Sequence, residues 1–103
     1  MTPEGRVKAK VKLALEKAFG DKCWRFMPVQ TGYGSVALDF LMCIGGKFVA
    51  IETKVKGKTL TGLQSQTKEA MEEAGGLVCV VDDQASLDEA MKQIKLRTGY
   101  YGY

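Results

Sequence analysis

A Gly45-Gly46 pair constrains this chain more than any other feature, because it separates two runs rich in β-branched, aromatic and other apolar residues, 36–44 and 47–55. Glycine enters positive φ without steric cost, so the pair suits a two-residue hairpin turn. A hairpin closed there has a fixed register. Ile44 faces Lys47, Phe40 faces Ile51, Asp39 faces Glu52 and Ala37 faces Lys54. Directly opposed residues share one face of a sheet, with Cβ atoms roughly 4.5–5.5 Å apart, and like charges placed so are destabilising.

Strand side chains alternate with period two, so Lys54 projects with Glu52, and two acids and an ammonium group converge. A divalent cation resolves that repulsion. Carboxylates are the donors that a hard ion such as Mg²⁺ takes, with water and phosphate filling the remaining positions. Such an ion polarises a phosphoryl oxygen and acidifies bound water, and a lysine beside it can position the nucleophile or steady developing charge. The structural alternative is an exposed charge pair on the polar side of an ordinary hairpin. The neighbours weigh against it. Val49, Ala50 and Ile51 precede Glu52, and Leu38, Phe40 and Leu41 surround Asp39. Near-continuous apolar runs mark strands covered on both faces, where charges are rare unless paired or metal-bound.

The chain has 103 residues, enough for one domain spanning 1–103 and too few for two. Its 15 basic and 12 acidic side chains leave +3, a bias that permits contact with a polyanion without requiring it. Histidine is absent, which excludes catalytic triads and Cys-His dyads that use imidazole as the base. Cys23, Cys43 and Cys79 lie far apart in apolar stretches and read as small buried hydrophobes. With no signal peptide and no 18-residue apolar span in view, these thiols point to a reducing cytoplasm, that of the host if the chain is viral, and to no membrane role.

In chain order, Thr2-Pro3 caps a first helix carrying Val7, Val11, Ala14, Leu15 and Ala18 inward and closing at Gly20. Glu4 falls near Val11 and Leu15 on the helical wheel. It therefore points at the sheet, or else only complements the helix dipole, and both readings stand. Cys23 to Val29 reads as a strand that Pro28 places at an edge or an end. Residues 30–35 form a glycine-bearing loop in which Tyr33 is a candidate for stacking on a base.

Beyond the hairpin, Lys56-Gly57-Lys58 is a basic turn, and Lys47, Lys56 and Lys58 are candidate phosphate contacts. Thr61-Gly62-Leu63-Gln64 fits a capping box, which by itself accounts for Gln64. The helix it opens has Leu63, Thr67, Ala70, Met71 and Ala74 as its expected apolar stripe and ends at Gly75-Gly76. Leu77 to Val81 reads as a buried central strand, parallel to a neighbour. Ser86-x-x-Glu89 fits another capping box, opening a helix that runs to about Arg97, and 98–103 form an aromatic tail. The expected fold is α/β: a small mixed β-sheet flanked by helices in the order α-β-β-β-α-β-α.

Asp39 and Glu52-Thr53-Lys54 on successive strands, behind a helix carrying Glu4, resemble the PD-(D/E)xK nuclease superfamily. More narrowly, the chain is similar to virus-type replication-repair nuclease (VRR-NUC) domains. The likeness rests on Gly-Tyr-Gly-Ser-Val-Ala-Leu-Asp, Ile-Glu-Thr-Lys, Leu-Thr-Gly-Leu-Gln and Gly-Gly-Leu-Val-Cys-Val-Val, and it covers nearly all of 4–95. Leu38 replaces the proline that usually precedes the Asp in that family, a position without a chemical role. The resemblance implies Asp39, Glu52 and the carbonyl of Thr53 as ligands of Mg²⁺ or Mn²⁺, with Glu4 an outer acidic contributor. Lys54 would be the catalytic lysine and Gln64 a residue assisting the site. It implies a DNA endonuclease, similar to the small phage enzymes that resolve four-way Holliday junctions in branched DNA as homodimers. Two alternatives are a non-catalytic nucleic-acid-binding or assembly module on the same fold and a restriction-type nuclease, for which this chain is short.

Overall fold

In the computed structural model, which describes residues 1–29 and 37–100, the glycine pair does what its chemistry allows. Gly45 and Gly46 have φ of 57° and 79°, both in the left-handed region that a two-residue hairpin turn of the right twist needs. The turn joins β2 (Phe40–Ile44) to β3 (Lys47–Thr53), and the ladder pairs Ile44 with Lys47 and Phe40 with Ile51, the register the sequence predicts.

Around the hairpin run α1 (Pro3–Phe19), a short 3-10 turn (Gly20–Lys22), β1 (Cys23–Phe26), α2 (Gly62–Glu73), β4 (Leu77–Val81) and α3 (Gln84–Thr98). The element order is the expected one. The four strands lie in the order β1-β2-β3-β4, antiparallel except that β3 and β4 are parallel. None of the described helices is long and apolar enough to cross a membrane.

The sheet separates two apolar layers of unequal size. On one side Val11, Leu15 and Phe19 of α1 and Leu87, Ala90 and Ile94 of α3 pack against Phe40, Met42, Ile44, Val49, Ile51 and Val81. On the other, Leu38, Ala50 and Val78 meet Leu41 and Met71 of α2. Alternation along β3 therefore sends Val49, Ile51 and Thr53 towards α1 and α3, and Ala50, Glu52 and Lys54 towards α2.

Several expectations from the sequence need correction. β4 is parallel to its neighbour as expected but lies at the sheet edge, not its centre; its apolar run reflects cover by α2 and α3 on its two faces. The first strand stops at Phe26, before Pro28, which has no N–H to give a ladder. In α2 no residue is fully buried, and Leu63, Ala70 and Ala74 are exposed; Gln64, Thr67, Lys68 and Met71 occupy its less exposed side. α3 begins earlier than Ser86: Asp83 is the N-cap, its carboxylate accepting from Ser86 N–H at 2.7 Å, with Ser86 the third residue of the helix. Cys43 is exposed and Cys23 and Cys79 are half-buried, so the thiols are not the core residues their neighbours suggest. Of the aromatic tail, Tyr100 lies on Phe19, ring centroids 5.9 Å apart, and 101–103 fall outside the described residues.

The hairpin turn yields a prediction. At Gly45 an added Cβ would stand 3.3 Å from the Thr98 carbonyl oxygen, whereas at Gly46 nothing lies within 4 Å. Both Gly45→Ala and Gly46→Ala carry the left-handed penalty of about 1–2 kcal/mol. Gly45→Ala is expected to be the more destabilising in urea denaturation, and equal midpoints would contradict the contact with the end of α3.

Candidate active site

β3 ends at Thr53, two residues beyond Ile51, where its ladder with β2 stops, and the site is built in that gap. Asp39 occupies a bend immediately before β2. Its backbone N–H donates to Glu52 Oε1 at 3.0 Å. Its carboxylate turns to the next residue of β3: Asp39 Oδ2 accepts from Thr53 N–H at 3.0 Å and from Thr53 Oγ1 at 2.6 Å. The ladder stops before the expected pairs Asp39–Glu52 and Ala37–Lys54, because the chain bends at Asp39. The two acids are neighbours, but the Asp39 carboxylate turns to Thr53 and to Lys8 of α1 while the Glu52 carboxylate meets Gln64 of α2. Glu52 meets the backbone of Asp39, and Asp39 meets the side chain of Thr53.

Both acids are withdrawn from solvent, with Asp39 8% and Glu52 2% exposed, and Thr53 is fully buried. Burial, and after it the charge of Asp39, pushes the Glu52 carboxyl up to about 7. The Asp39 N–H and Lys54 act in the opposite direction, and Glu4 adds a smaller upward push. Glu4 itself is exposed on the first turn of α1. It therefore stands off the buried stripe of Val11 and Leu15, in the first turn, where an acid complements the helix dipole.

Lys54 Nζ stands 3.7 Å from Glu52 Oε2, and its side chain is only 15% exposed. The backbone behind it is fixed, because Lys54 N–H donates to the Val81 carbonyl at 2.9 Å, tying the end of β3 to the end of β4. Gln64 completes this side. In the α2 capping box its Oε1 accepts from Thr61 N–H at 3.0 Å, which leaves its Nε2 free to donate to Glu52 Oε2 at 2.9 Å. The cap and the site are one device: ending the helix correctly also aims the amide at the acid.

The sequence reading missed Lys8. On α1, one turn beyond Glu4, its ammonium lies 3.6 Å from Asp39 Oδ1. A signal was present, since Glu4, Lys8, Val11 and Leu15 follow helical spacing along one side. Of the candidate phosphate contacts, Lys56 is paired with Asp83 at 2.6 Å, and Lys58 is exposed in the turn after Lys54. That hydrogen bond, with Ser86 N–H after it, holds the Asp83 carboxyl well below the usual carboxylate range. Lys47 lies at the far end of β3 from Glu52, five residues or about 17 Å away along the strand. Tyr33 lies outside the described residues.

The donor set fits a hard divalent cation. Two mutually repelling carboxylates at low exposure offer the one or two protein oxygens, out of about six ligands, that Mg²⁺ takes before water and phosphate complete the shell. Among the described residues no group of three or more His, Cys, Asp or Glu stands together. Thr53 anchors Asp39 through two donors, so Thr53→Val, nearly equal in volume, is expected to destabilise the fold. A buried hydrogen bond to a charged group contributes about 1.5–3 kcal/mol, which chemical denaturation of the variant would register.

No protein-family model and no curated protein sequence matches the chain. A solved structure described as a VRR_NUC domain does, at 22% sequence identity and a TM-score of 0.74, covering 89% of this chain and 97% of that one. At that identity the likeness concerns the fold, and the chain has the fold of a VRR_NUC domain.

Proposed function

We propose that the chain is a metal-dependent deoxyribonuclease that hydrolyses phosphodiester bonds in branched DNA and works as a homodimer. One observation carries this reading: Asp39, Glu52, Lys54 and Gln64 converge at the end of β3, the acids buried and the other two groups held against Glu52. The nuclease-type fold supports it.

Asp39, Glu52 and the Thr53 carbonyl would hold Mg²⁺ or Mn²⁺, with Glu4 contributing from outside. A bound divalent ion supplies a Lewis acid for the phosphoryl oxygen and a water of lowered pKa. The protein's own residues do the rest. Thr53 fixes the Asp39 carboxylate through Oδ2, leaving Oδ1 towards Lys8 and the opening of the site. Gln64 fixes Glu52 through Oε2 and so holds its charge in place. Lys54, half-sheltered beside Glu52, orients the attacking water and balances the charge that gathers on the phosphoryl oxygens. Lys8, Lys56 and Lys58 are proposed to contact the flanking phosphates of the strand. Lys47 would be reached only by DNA running along the sheet, and Tyr33 is proposed as a stacking residue.

Four-way junction and matched duplex DNA, incubated with Mn²⁺ and either the native chain or Glu52→Ala, test the proposal. Junction cutting by the native chain alone is expected. Cutting by both proteins, or by neither, contradicts it; salt-sensitive DNA binding without turnover would instead identify a binding module.

A further inference from the structure

The net charge of the chain is concentrated on one element. In α1, Arg6, Lys8, Lys10, Lys12 and Lys17 stand against Glu4 and Glu16, a balance of +3. The whole chain has 15 basic and 12 acidic side chains, also +3, so everything outside α1 balances to zero. Helical spacing aggravates the crowding. Arg6 and Lys10, and Lys8 and Lys12, are like-charge pairs one turn apart, which destabilise a helix. Lys8 finds Asp39, and Glu16 is taken by Arg25 at 3.1 Å. Arg6 and Lys10 take part in no ion pair among the described residues. Repulsion kept within the fold in this way is relieved by an anion from outside it.

Three of these cations border a groove. Arg6, Lys10 and Lys17 fall within about 40° of one another on the helical wheel, and all three are exposed. Two clefts between α1 and the start of α3 join through Lys10 and Leu87. Arg6 and Lys10 line the first with Val81, Asp82 and Asp83, and Lys10 and Lys17 line the second with Gln84. The two acids do not reverse the sign of the groove. Lys56 holds Asp83 at 2.6 Å, Asp82 accepts from Ser86 Oγ at 3.1 Å, and the cations outnumber them. The first cleft opens beside the candidate site: Val81 pairs with Thr53 across the β3–β4 ladder, and its carbonyl accepts from Lys54 N–H. From Arg6 to Lys17 the helix rises about 17 Å, the rise of about five nucleotides in one strand of DNA. A membrane surface fits less well. A helix lying in a bilayer interface buries its apolar face there, and Val11, Leu15 and Phe19 of α1 are already buried in the core.

We infer that the groove between α1 and α3 carries the sugar-phosphate backbone of DNA away from the site, with Arg6, Lys10 and Lys17 each on a phosphate. This rests on the nuclease reading, and its test measures binding without turnover, so that either can fail alone. A labelled four-way junction and a labelled duplex are titrated in EDTA between about 50 and 200 mM salt, and binding is followed by fluorescence anisotropy. Arg6→Gln, Lys10→Gln and Lys17→Gln combined are expected to weaken binding about 100-fold or more at about 0.1 M salt, and to flatten the slope of log K against log salt by about 2.7. Lys10→Gln alone, at the residue common to both clefts, should flatten it by about 0.9. Lys22→Gln, Lys92→Gln and Arg97→Gln combined remove the same charge from exposed positions outside the groove. Screening confines that loss to its own surroundings, and a change of less than about threefold is expected. Circular dichroism and urea denaturation check folding, and relief of the Arg6–Lys10 repulsion should leave the groove variant no less stable. An unchanged slope in the groove variants overturns the inference, as does an equal loss in both triple variants. So does a native chain that binds phosphatidylserine vesicles and no DNA. Groove-dependent binding by a chain that cuts nothing would sink the nuclease reading alone, and junction cleavage at native KM by the groove variant would sink the groove alone.

Discussion

Glu52→Ala is expected to lose metal-dependent cleavage by about 10³-fold or more, and Lys54→Ala by about 10²–10³-fold, the range for removing one group that stabilises charge in the transition state. The ranking follows from the contacts. Glu52 is the residue on which the site converges, touched by Asp39 N–H, Gln64 Nε2 and the Lys54 ammonium. Its loss would remove a proposed metal donor and the charge beside Lys54. Gln64→Ala leaves both acids and the lysine in place and removes only the group that orients Glu52. A loss of about 10–100-fold is expected there, the usual effect of deleting an orienting partner of a metal ligand. Single-turnover cleavage of a labelled junction gives all three rates. Unimpaired cleavage by Lys54→Ala would contradict the catalytic role; a Gln64→Ala defect equal to that of Glu52→Ala would mean that the amide does more than orient.

The second large effect concerns stability, pH and metal together. In the metal-free fold, burial and the Asp39 charge raise the Glu52 carboxyl from 4.5 to about 7. A carboxyl raised on folding keeps its proton in the folded chain after the unfolded chain has released it. The folded state therefore binds more protons between those two values, and stability falls as pH rises from about 4.5 to about 7, then levels off. The full excursion is on the order of 2 kcal/mol, given that one pKa unit is worth about 1.4 kcal/mol and that solvent at the mouth of the site moderates it. A cation held by Asp39 and Glu52 would replace that proton. Added Mn²⁺ is thus expected to raise Tm more at pH 8 than at pH 5. At a hundredfold excess over Kd the gain is about 2.7 kcal/mol, roughly 10 °C for a domain of this size. Asp39→Asn should abolish most of the gain. An equal rise at both pH values, or one that persists in Asp39→Asn, would mean that the ion binds elsewhere.

Much of this geometry is local and was legible from residue order. Two glycines able to enter positive φ set the hairpin register, and period-two alternation from that register brought Glu52 and Lys54 to one side and Asp39 to the same end of the ribbon. Thr61 and Gln64 declared their cap, although not that the spare Nε2 of Gln64 would reach Glu52. Those features depend on neighbours within a few residues, or across a ladder whose pairing one turn dictates.

Features that depend on how layers pack were not legible. The bend that turns the Asp39 carboxylate to Thr53 exists because Leu38 drops into the small core with Ala50 and Val78, pulling the chain out of the ladder one residue early. Lys8 reaches Asp39 only because α1 lies across that end of the sheet. The apolar run of Leu77 to Val81 fits a central strand and a doubly covered edge strand equally well, and only the position of α3 separates the two. Trp24, Phe26 and Phe48 read as ordinary strand interior until α2 settles over β3 and β4 and leaves them outside. Periodicity says which residues share a side; whether another layer lies on that side is decided by contacts between segments distant in the chain.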